Sequence, residues 1–166
     1  MRAGIALGSN LGDRLGHLRA ARDEICRLPE VSGPVLASSI YETAPVDSPP
    51  NAEAFLNAVL ELEFDGDPLA LLRGLRAIEV LLGRPPERPP NAPRTIDLDL
   101  LYAGELTLAE PELVVPHPRL HERRFVLEPL SEIRPELVLP NQRRSIAELL
   151  AALPAVAGNR WLSDDW

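Results

Sequence analysis

The chain has 166 residues, of which 45% are hydrophobic and 25% charged, and its formal net charge is −8. This size predicts a single domain over residues 1–166 with its own core. The negative net charge argues against a broad nucleic-acid surface. No apolar run approaches the ~18 residues that a membrane span requires, and the N-terminus lacks the apolar segment of a signal peptide. We therefore expect no nucleic-acid and no membrane partner.

The cysteine and lysine counts exclude an internal disulfide and all sites that depend on lysine. Cys26 is the only cysteine, so no internal disulfide can form, and we expect a reducing, cytoplasmic location. All 17 basic residues are arginines. The chain therefore has no Schiff-base lysine, no lysine general base and no Walker A lysine. Any bound phosphate must contact arginine, histidine, backbone N–H groups or a metal ion.

The N-terminal part predicts a strand, a helix and a second strand. Residues 5–7 are a short apolar run that ends in a glycine-containing turn, which we interpret as a tight strand-to-helix connection, with direct contact to a ligand as the alternative. Asp13 is a suitable N-cap for a helix that continues to Leu28. The second strand is predicted over residues 35–41. The loop that follows, residues 42–51, is long and proline-stiffened, as functional loops often are.

The clearest alternating strand is predicted over residues 55–64. Side chains alternate along a strand, so Phe55 and Asn57 share a face that no predicted helix covers. A carboxamide carries donors and an acceptor, which suits Asn57 to reading the edge of a heterocycle. The alternative is an asparagine at a strand end that satisfies backbone groups.

The second helix is predicted to begin after the N-cap Asp67 and to end before Gly83. Glu79 lies near its carboxyl end, where the helix dipole disfavours a carboxylate. This position favours an arginine or a ligand as the partner of Glu79 over solvent. The following segment, residues 84–94, combines prolines with three arginines. We predict a lid or arm there, with a solvated linker as the alternative.

A second alternating segment, residues 93–102, reads Pro-Arg-Thr-Ile-Asp-Leu-Asp-Leu-Leu-Tyr. In a strand, Asp97 and Asp99 share one face and lie roughly 7 Å apart at ~3.3 Å of rise per residue. Such carboxylates repel unless a cation lies between them, and Mg²⁺ is typically held by one or two carboxylates, water and phosphate oxygens. A solvated strand face is the alternative.

The C-terminal third is rich in polar groups and short elements. Two histidines, three arginines and a phenylalanine lie within residues 117–125. His117 could donate to a phosphate or cap backbone groups, and Phe125 is either a core residue or a stacking ring. Residues 129–139 predict a proline-broken stretch, and Ser145 caps a last helix. The tail that ends with residues 161–166 indicates neither a secondary structure nor a function.

The predicted order of strand, helix, strand, strand, helix and strand is that of the ferredoxin-like fold. We therefore predict an α+β domain with a βαββαβ core, an antiparallel sheet with helices on one face, and C-terminal additions. The other face would be free to bind a ligand. The loops after the second and fourth strands would overhang it.

Residues 93–101 resemble the signature of the 6-hydroxymethyl-7,8-dihydropterin pyrophosphokinase family, which acts in folate biosynthesis. Further segments resemble other motifs of this family in the same order: residues 6–12, 41–45, 55–58, 115–119 and 122–127. The resemblance implies a ferredoxin-like fold. It also implies transfer of the β,γ-diphosphate of ATP to the hydroxymethyl group of the pterin, giving AMP, with two Mg²⁺ ions as cofactors. We expect a monomer whose partners are these two small-molecule substrates.

The resemblance also implies roles for particular residues. Asp97 and Asp99 would hold both metal ions, and with Arg84 and Arg94 they would form the catalytic set. The nucleotide side would comprise Glu79, Arg84, Arg88, Arg94, Leu100, His117 and Arg123. The pterin side would comprise Thr43, Pro45, Val46, Phe55, Asn57 and Phe125.

The sequence departs from the family pattern in the segment before Arg94. The family usually has a tryptophan where this chain has Asn91, and an arginine where it has Pro86, for which Arg88 could substitute. Two other functions therefore stay open. One is a non-catalytic ferredoxin-like module that binds a ligand or a partner protein, and the other is a metal-dependent nucleotide hydrolase.

Overall fold

The computed structural model describes residues 1–44, 53–84, 94–155, 160–163 and 165–166. The strands are β1 (Arg2–Ser9), β2 (Val31–Ala37), β3 (Ile40–Thr43), β4 (Phe55–Phe64), β5 (Asp97–Ala103), β6 (Leu108–Ala109), β7 (Val114–Val115) and β8 (Arg160–Ser163). The helices are α1 (Arg14–Cys26), α2 (Pro68–Leu81), α3 (Arg124–Ile133) and α4 (Ile146–Ala152), with a 3₁₀ turn at Leu120–Glu122. No helix within these described ranges is long and apolar enough to cross a membrane.

The main sheet has the strand order β5-β1-β4-β3-β8, and β2 pairs with the second half of β4. Every pairing is antiparallel, so the predicted α+β fold with an antiparallel sheet is confirmed. The order places β1 between β4 and β5. At the end of β1, Gly8 lies opposite Asn57 on β4 and opposite Asp97 on β5.

The single strand predicted over residues 35–41 is two strands, β2 and β3, which are separated at Ser38 and Ser39. Side-chain hydrogen bonds satisfy the polar groups at this break. The Val59 N–H donates to Ser38 Oγ at 2.9 Å, and the Ser39 hydroxyl donates to the Glu132 carboxylate at 2.7 Å. Serine gives little strand signal and bonds readily to nearby backbone, which is why alternation alone did not reveal the break.

One face of the sheet is covered by α1 and α2, as predicted. The side chains of Asp13 and Asp67 cap these helices by accepting from the backbone N–H groups of Gly16 and Leu69. The apolar residues of β1 and β4 that alternate towards the helices form the main core with them. Its fully buried members include Ile5, Leu7, Leu18, Ile25, Leu60, Leu62, Leu71 and Leu75.

The opposite face is only partly free, because α3 packs on it. Residues 129–139 were predicted to be broken by proline, but α3 contains Pro129 within a continuous helix. Its side chains Val126, Leu127 and Leu130 form a second buried cluster with strand residues such as Val59. Burial of this apolar stripe outweighs the helix hydrogen bond that proline cannot donate. Gly8 and its neighbours Asn57 and Asp97 form a row across three strands on this same face, beyond the second cluster.

The C-terminal residues carried no signal in the sequence, yet they complete the sheet. Strand β8 pairs with β3 and adds an outer strand. The ring of Trp166 is buried in the main core, and its Nε1–H donates to the backbone oxygen of Ser38 at 2.7 Å. The Arg22 guanidinium lies 5.3 Å from the centre of the same ring. The tail therefore stabilises β3, the strand that ends at Thr43.

We expect Gly4→Ala to lower the free energy of unfolding by about 1–3 kcal/mol through overpacking. A Cβ at this position would lie 2.2 Å from Cε1 of Tyr102. The Tyr102 ring is 2% exposed and its hydroxyl donates to Glu61 at 2.6 Å, so it has little room to move aside. Urea denaturation measures the change.

Gly74→Ala in α2 is the matched control for that substitution. Its Cβ would meet only the flexible end of the Leu28 side chain, at 3.1 Å. Alanine also favours a helix over glycine by about 1 kcal/mol. We therefore expect this variant to be as stable as the wild type or more so. A Gly4→Ala variant of unchanged stability would contradict the account of the second face.

Candidate active site

The candidate site is a row of side chains that crosses three strands on the face shared with α3. Gly8 lies in the middle of the row, flanked by Asn57 on β4 and by Asp97 on β5. Strands are spaced by about 4.8 Å, so the backbones of the outer two residues are roughly 10 Å apart. Glycine in the middle position leaves the space between the carboxamide and the carboxylate free of a side chain.

Asp97 is held by two arginines. Arg84 Nη1 donates to its Oδ1 at 2.6 Å, and Arg94 Nη1 donates to its Oδ2 at 2.5 Å. One arginine comes from the residues after α2 and the other from three positions before the aspartate. Both carboxylate oxygens are therefore bound by guanidinium groups, and the negative charge is neutralised.

Asp99, two residues further along β5, faces a different group of cations. Arg123 Nη1 donates to its Oδ2 at 3.0 Å, and His117 Nε2 lies 3.9 Å from the same oxygen. The structure thus brings together both aspartates, the three arginines predicted around them within the described residues, and His117. The hypothesis that close carboxylates require positive partners agrees with this arrangement.

His117 is fixed in a defined orientation. Its Nδ1 accepts the backbone N–H of Arg119 at 3.1 Å, and its own backbone N–H donates to Leu101 at 2.7 Å. Burial lowers the pKa of His117, while Asp99 opposes and Arg123 adds to that shift. With Nδ1 accepting, the neutral ring carries its proton on Nε2. The ring therefore presents an N–H donor on the side of Asp99.

Glu79 is buried at the carboxyl end of α2, and both of its described partners belong to the site. Its Oε1 accepts the backbone N–H of Leu98 at 2.8 Å and also binds Arg84 Nη1. Burial raises the pKa of Glu79, although Leu98 and Arg84 favour its charged form. The expectation of an arginine or ligand partner is met by Arg84. Glu79 thus links helix α2, the edge of β5 and the guanidinium that binds Asp97.

A cavity of about 200 Å³ opens beside β5. Its wall includes Leu98, Asp99 and Leu100 from the strand, so it adjoins the aspartate pair. The remaining wall comes from α2, from β7 and from the residues that flank β7. Those other lining residues are Leu72, Glu112, Leu113, Val114, His117 and Pro118.

On the other side of Gly8, Asn57 is 5% exposed and its orientation is set by Thr43. The Nδ2 group donates to Thr43 Oγ1 at 2.7 Å. The Oδ1 atom would lie 3.2 Å from a Cβ placed at Gly8, so the amide oxygen faces the open middle of the row. Among the residues that the structure describes, no group donates to this oxygen, so it can accept a hydrogen bond from a ligand.

Both predicted rings lie on this same face of the sheet. Phe55 precedes Asn57 on β4, and its Cδ1 would lie 3.8 Å from a Cβ at Gly8. Phe125 is partly buried against the second cluster at the start of α3. The Arg123 guanidinium lies 5.6 Å from the centre of the Phe125 ring, which ties this ring to the partner of Asp99.

Three of the predicted site residues, Pro45, Val46 and Arg88, lie outside the described residues, as do Pro86 and Asn91. Two site positions were not singled out from the sequence. The sequence predicts a turn around Gly8, with ligand contact as the alternative, and does not distinguish Gly8 within it, although a glycine at a strand end is a signal for close approach of another group. Asn10 had no distinguishing signal, and it binds the backbone of Arg94.

Comparison with known proteins places the chain among named relatives. The family model described as 7,8-dihydro-6-hydroxymethylpterin-pyrophosphokinase matches residues 4–135. The 2-amino-4-hydroxy-6-hydroxymethyldihydropteridine pyrophosphokinase of Pseudomonas aeruginosa is 43% identical over 150 residues, which cover 90% of each chain. The Bacillus subtilis protein of the same name is 44% identical over 129 residues, or 78% of this chain and 75% of the relative.

Solved structures agree with the fold. Plasmodium falciparum HPPK-DHPS superposes with a TM-score of 0.69 at 16% identity, covering 90% of this chain and 44% of that one. At this level of identity the likeness concerns the fold alone. It supports the ferredoxin-like core.

We expect Glu79→Ala to be less stable than Glu79→Gln by about 1–3 kcal/mol. Glutamine keeps an oxygen that can accept the Leu98 N–H at the sheet edge, whereas alanine leaves this buried donor unpaired. Urea denaturation of both variants measures the difference. Equal stabilities would contradict the view that Glu79 closes the edge of β5.

Proposed function

The chain belongs to the 7,8-dihydro-6-hydroxymethylpterin-pyrophosphokinase family, and we propose that the row through Gly8 is its active site. The reaction is transfer of diphosphate from ATP to the hydroxymethyl group of the pterin, with AMP as the second product. The observation that carries the proposal is the position of the arginine-bound aspartate pair on β5, across β1 from the carboxamide of Asn57 on β4. Diphosphate transfer depends mainly on positioning and on neutralising phosphate charge, and these residues can supply both.

The nucleotide base is proposed to bind in the cavity beside β5. The Leu98 N–H points off the sheet edge towards Glu79. Residues two apart in a strand direct their backbone groups to the same side, so Leu100 directs its N–H and C=O towards the cavity. These groups can pair with the edge of a purine. The apolar walls of the cavity, such as Leu72 and Leu113, suit the faces of the ring.

The phosphates would then extend along the arginines towards Gly8. Arg84, Arg94 and Arg123 lie around the aspartates, and guanidinium groups bind phosphate oxygens in bidentate fashion. His117 would add the Nε2–H donor described above. Glu79 supports this grip by holding Arg84, which assigns it a positioning role beside the nucleotide. The absence of lysine in the sequence is consistent with this arginine-based site.

Asp97 and Asp99 are proposed to hold two Mg²⁺ ions. The described residues contain no group of three or more histidine, cysteine or acidic side chains that could hold a metal by themselves. Two carboxylates suit Mg²⁺, which fills its other positions with water and substrate phosphate oxygens. When bound, the ions would neutralise phosphate charge and lower the pKa of the attacking hydroxyl.

The pterin is proposed to lie over Gly8. The Asn57 amide donates to Thr43, which leaves its oxygen to accept from a ring N–H or amino group of the substrate. Phe55 and Phe125 would stack on the two faces of the flat ring. Recognition at Asn57 would direct the hydroxymethyl group towards Asp97, since the row spans roughly 10 Å between the two strands. Pro45 and Val46 stay predicted contacts.

Incubation with ATP, Mg²⁺ and the hydroxymethyl dihydropterin should yield AMP and the pterin diphosphate. We expect Asp97→Asn and Asp99→Asn each to lower kcat by about 10²–10³-fold, because each removes a carboxylate that would hold the metal ions that neutralise phosphate charge. Omission of Mg²⁺ should have a comparable effect. Product analysis by ion-exchange chromatography measures the rate.

Asp65→Asn is the control for the aspartate variants, since Asp65 is exposed beyond the end of β4 remote from Asn57. Its activity should match the wild type. Formation of ADP in place of AMP, or phosphate release without the pterin, would reject the proposed reaction. Full activity of either site variant would reject the metal assignment.

Substitution of Thr43 tests the pterin side separately. We expect Thr43→Val to raise the KM for the pterin by about 5- to 30-fold, because the Asn57 amide loses a buried hydrogen-bond partner. Thr43→Ser keeps the hydroxyl and should stay near the wild type. The affinity for Mg²⁺ and an ATP analogue, measured by calorimetry, should not change. A pterin KM that is equal in the valine and serine variants would refute the role of this bond.

A further inference from the structure

Asn10 binds the backbone of Arg94 at two points. It lies in the turn between β1 and α1 and is 3% exposed. Its Oδ1 accepts the Arg94 N–H at 2.8 Å, and its own backbone N–H donates to the Arg94 carbonyl at 3.1 Å. A single residue therefore holds both polar groups of the Arg94 backbone, as a paired strand would.

The guanidinium of Arg94 has few other restraints within the described part of the chain. Its Nη1 donates to Asp97 at 2.5 Å, whereas its Nε is buried and has no hydrogen-bond partner among the described residues. The position of the guanidinium thus depends on where the Arg94 backbone is held. Asn10 supplies that hold from the turn that follows β1, two residues after Gly8.

We propose that Asn10 is a positioning residue for catalysis, which acts by fixing Arg94 over Asp97. This inference rests on the proposed function, because it assumes that Arg94 contacts the transferred phosphates. Displacement of a charged group by about 1 Å can lower a rate by roughly 10²-fold. A residue that fixes the arginine backbone should therefore affect kcat more than the binding of the pterin, which lies on the other side of Gly8.

An alternative is that Asn10 only stabilises the turn before α1. The two roles differ in their dependence on Arg94. If Asn10 acts through Arg94, its loss has little effect once the Arg94 side chain has been removed. If it only stabilises the turn, the effects of the two substitutions on kcat should multiply, as for independent sites.

The test is a double-mutant cycle of kcat with Asn10→Ala, Arg94→Ala and the double variant. We expect Asn10→Ala to lower kcat by about 10- to 100-fold with the pterin KM changed less than about twofold. In the Arg94→Ala background, the same substitution should change kcat by less than about twofold. Multiplicative effects, or an Asn10→Ala variant with wild-type kcat, would overturn the proposal.

Two further variants distinguish an effect of Asn10 on the position of Arg94 from an effect on the stability of the fold. Asn10→Asp keeps an oxygen at the Oδ1 position and should restore most of the kcat lost in the alanine variant. Ser9→Ala is the control, because Ser9 is equally buried at the end of β1 and its Oγ has no partner among the described residues. Its kcat should equal that of the wild type. An aspartate variant as slow as the alanine variant would count against the proposal.

Thermal melting shows whether each variant is folded before kinetics are measured. If Asn10→Ala does not fold, Asn10→Ser takes its place in the cycle, since its shorter side chain keeps the backbone bond but cannot reach the Arg94 N–H. The outcome also separates the two proposals. Full activity of Arg94→Ala would reject the role of Arg94 itself, whereas loss of activity in Arg94→Ala with a normal Asn10 variant would reject only the role of Asn10.

Discussion

The structure depends on the neutralisation of two carboxylates that project from one face of a single strand. Asp97 and Asp99 lie two residues apart on β5, and each binds arginine: Asp97 at both of its oxygens and Asp99 at Oδ2. Such a pair is unfavourable in a partly buried position unless cations accompany it. The same cations suit phosphate oxygens, and the same carboxylates suit Mg²⁺. The side chains that stabilise β5 in the absence of substrate are thus the same ones that the proposed reaction would use when substrate is bound.

The fold brings these cations to β5 from three directions. Arg84 follows α2 and is held by Glu79, Arg94 precedes β5 and is held by Asn10, and Arg123 lies at the start of α3 beside Phe125. Strand β1 links this charged group to the pterin side, because Gly8 lies between Asp97 and Asn57. The proposed recognition of a ring by Asn57 and the proposed metal binding by Asp97 would therefore be coupled through one row of the sheet.

The sequence was sufficient for the core fold because β4 and β5 alternate strongly and both main helices carry N-caps. It was insufficient where tertiary packing overrides local signals. Helix α3 tolerates Pro129 because its apolar stripe is buried, and Trp166 adds to the core from a segment without periodicity. Within the site, residue types and the family resemblance predicted the aspartates, arginines, Asn57 and Glu79. Asn10 could not be found in this way, because its role depends on a contact between residues 84 positions apart.

If Asp97 and Asp99 hold two Mg²⁺ ions as proposed, they should exchange their arginine partners for these ions when the nucleotide binds. A crystal structure with Mn²⁺ in place of Mg²⁺ and a non-hydrolysable ATP analogue tests this directly. We predict two anomalous peaks at about 2 Å from carboxylate oxygens of both aspartates, with Arg84 and Arg94 now donating to phosphate oxygens. Metal bound elsewhere, or both arginines still donating to Asp97 in the presence of the analogue, would contradict the account.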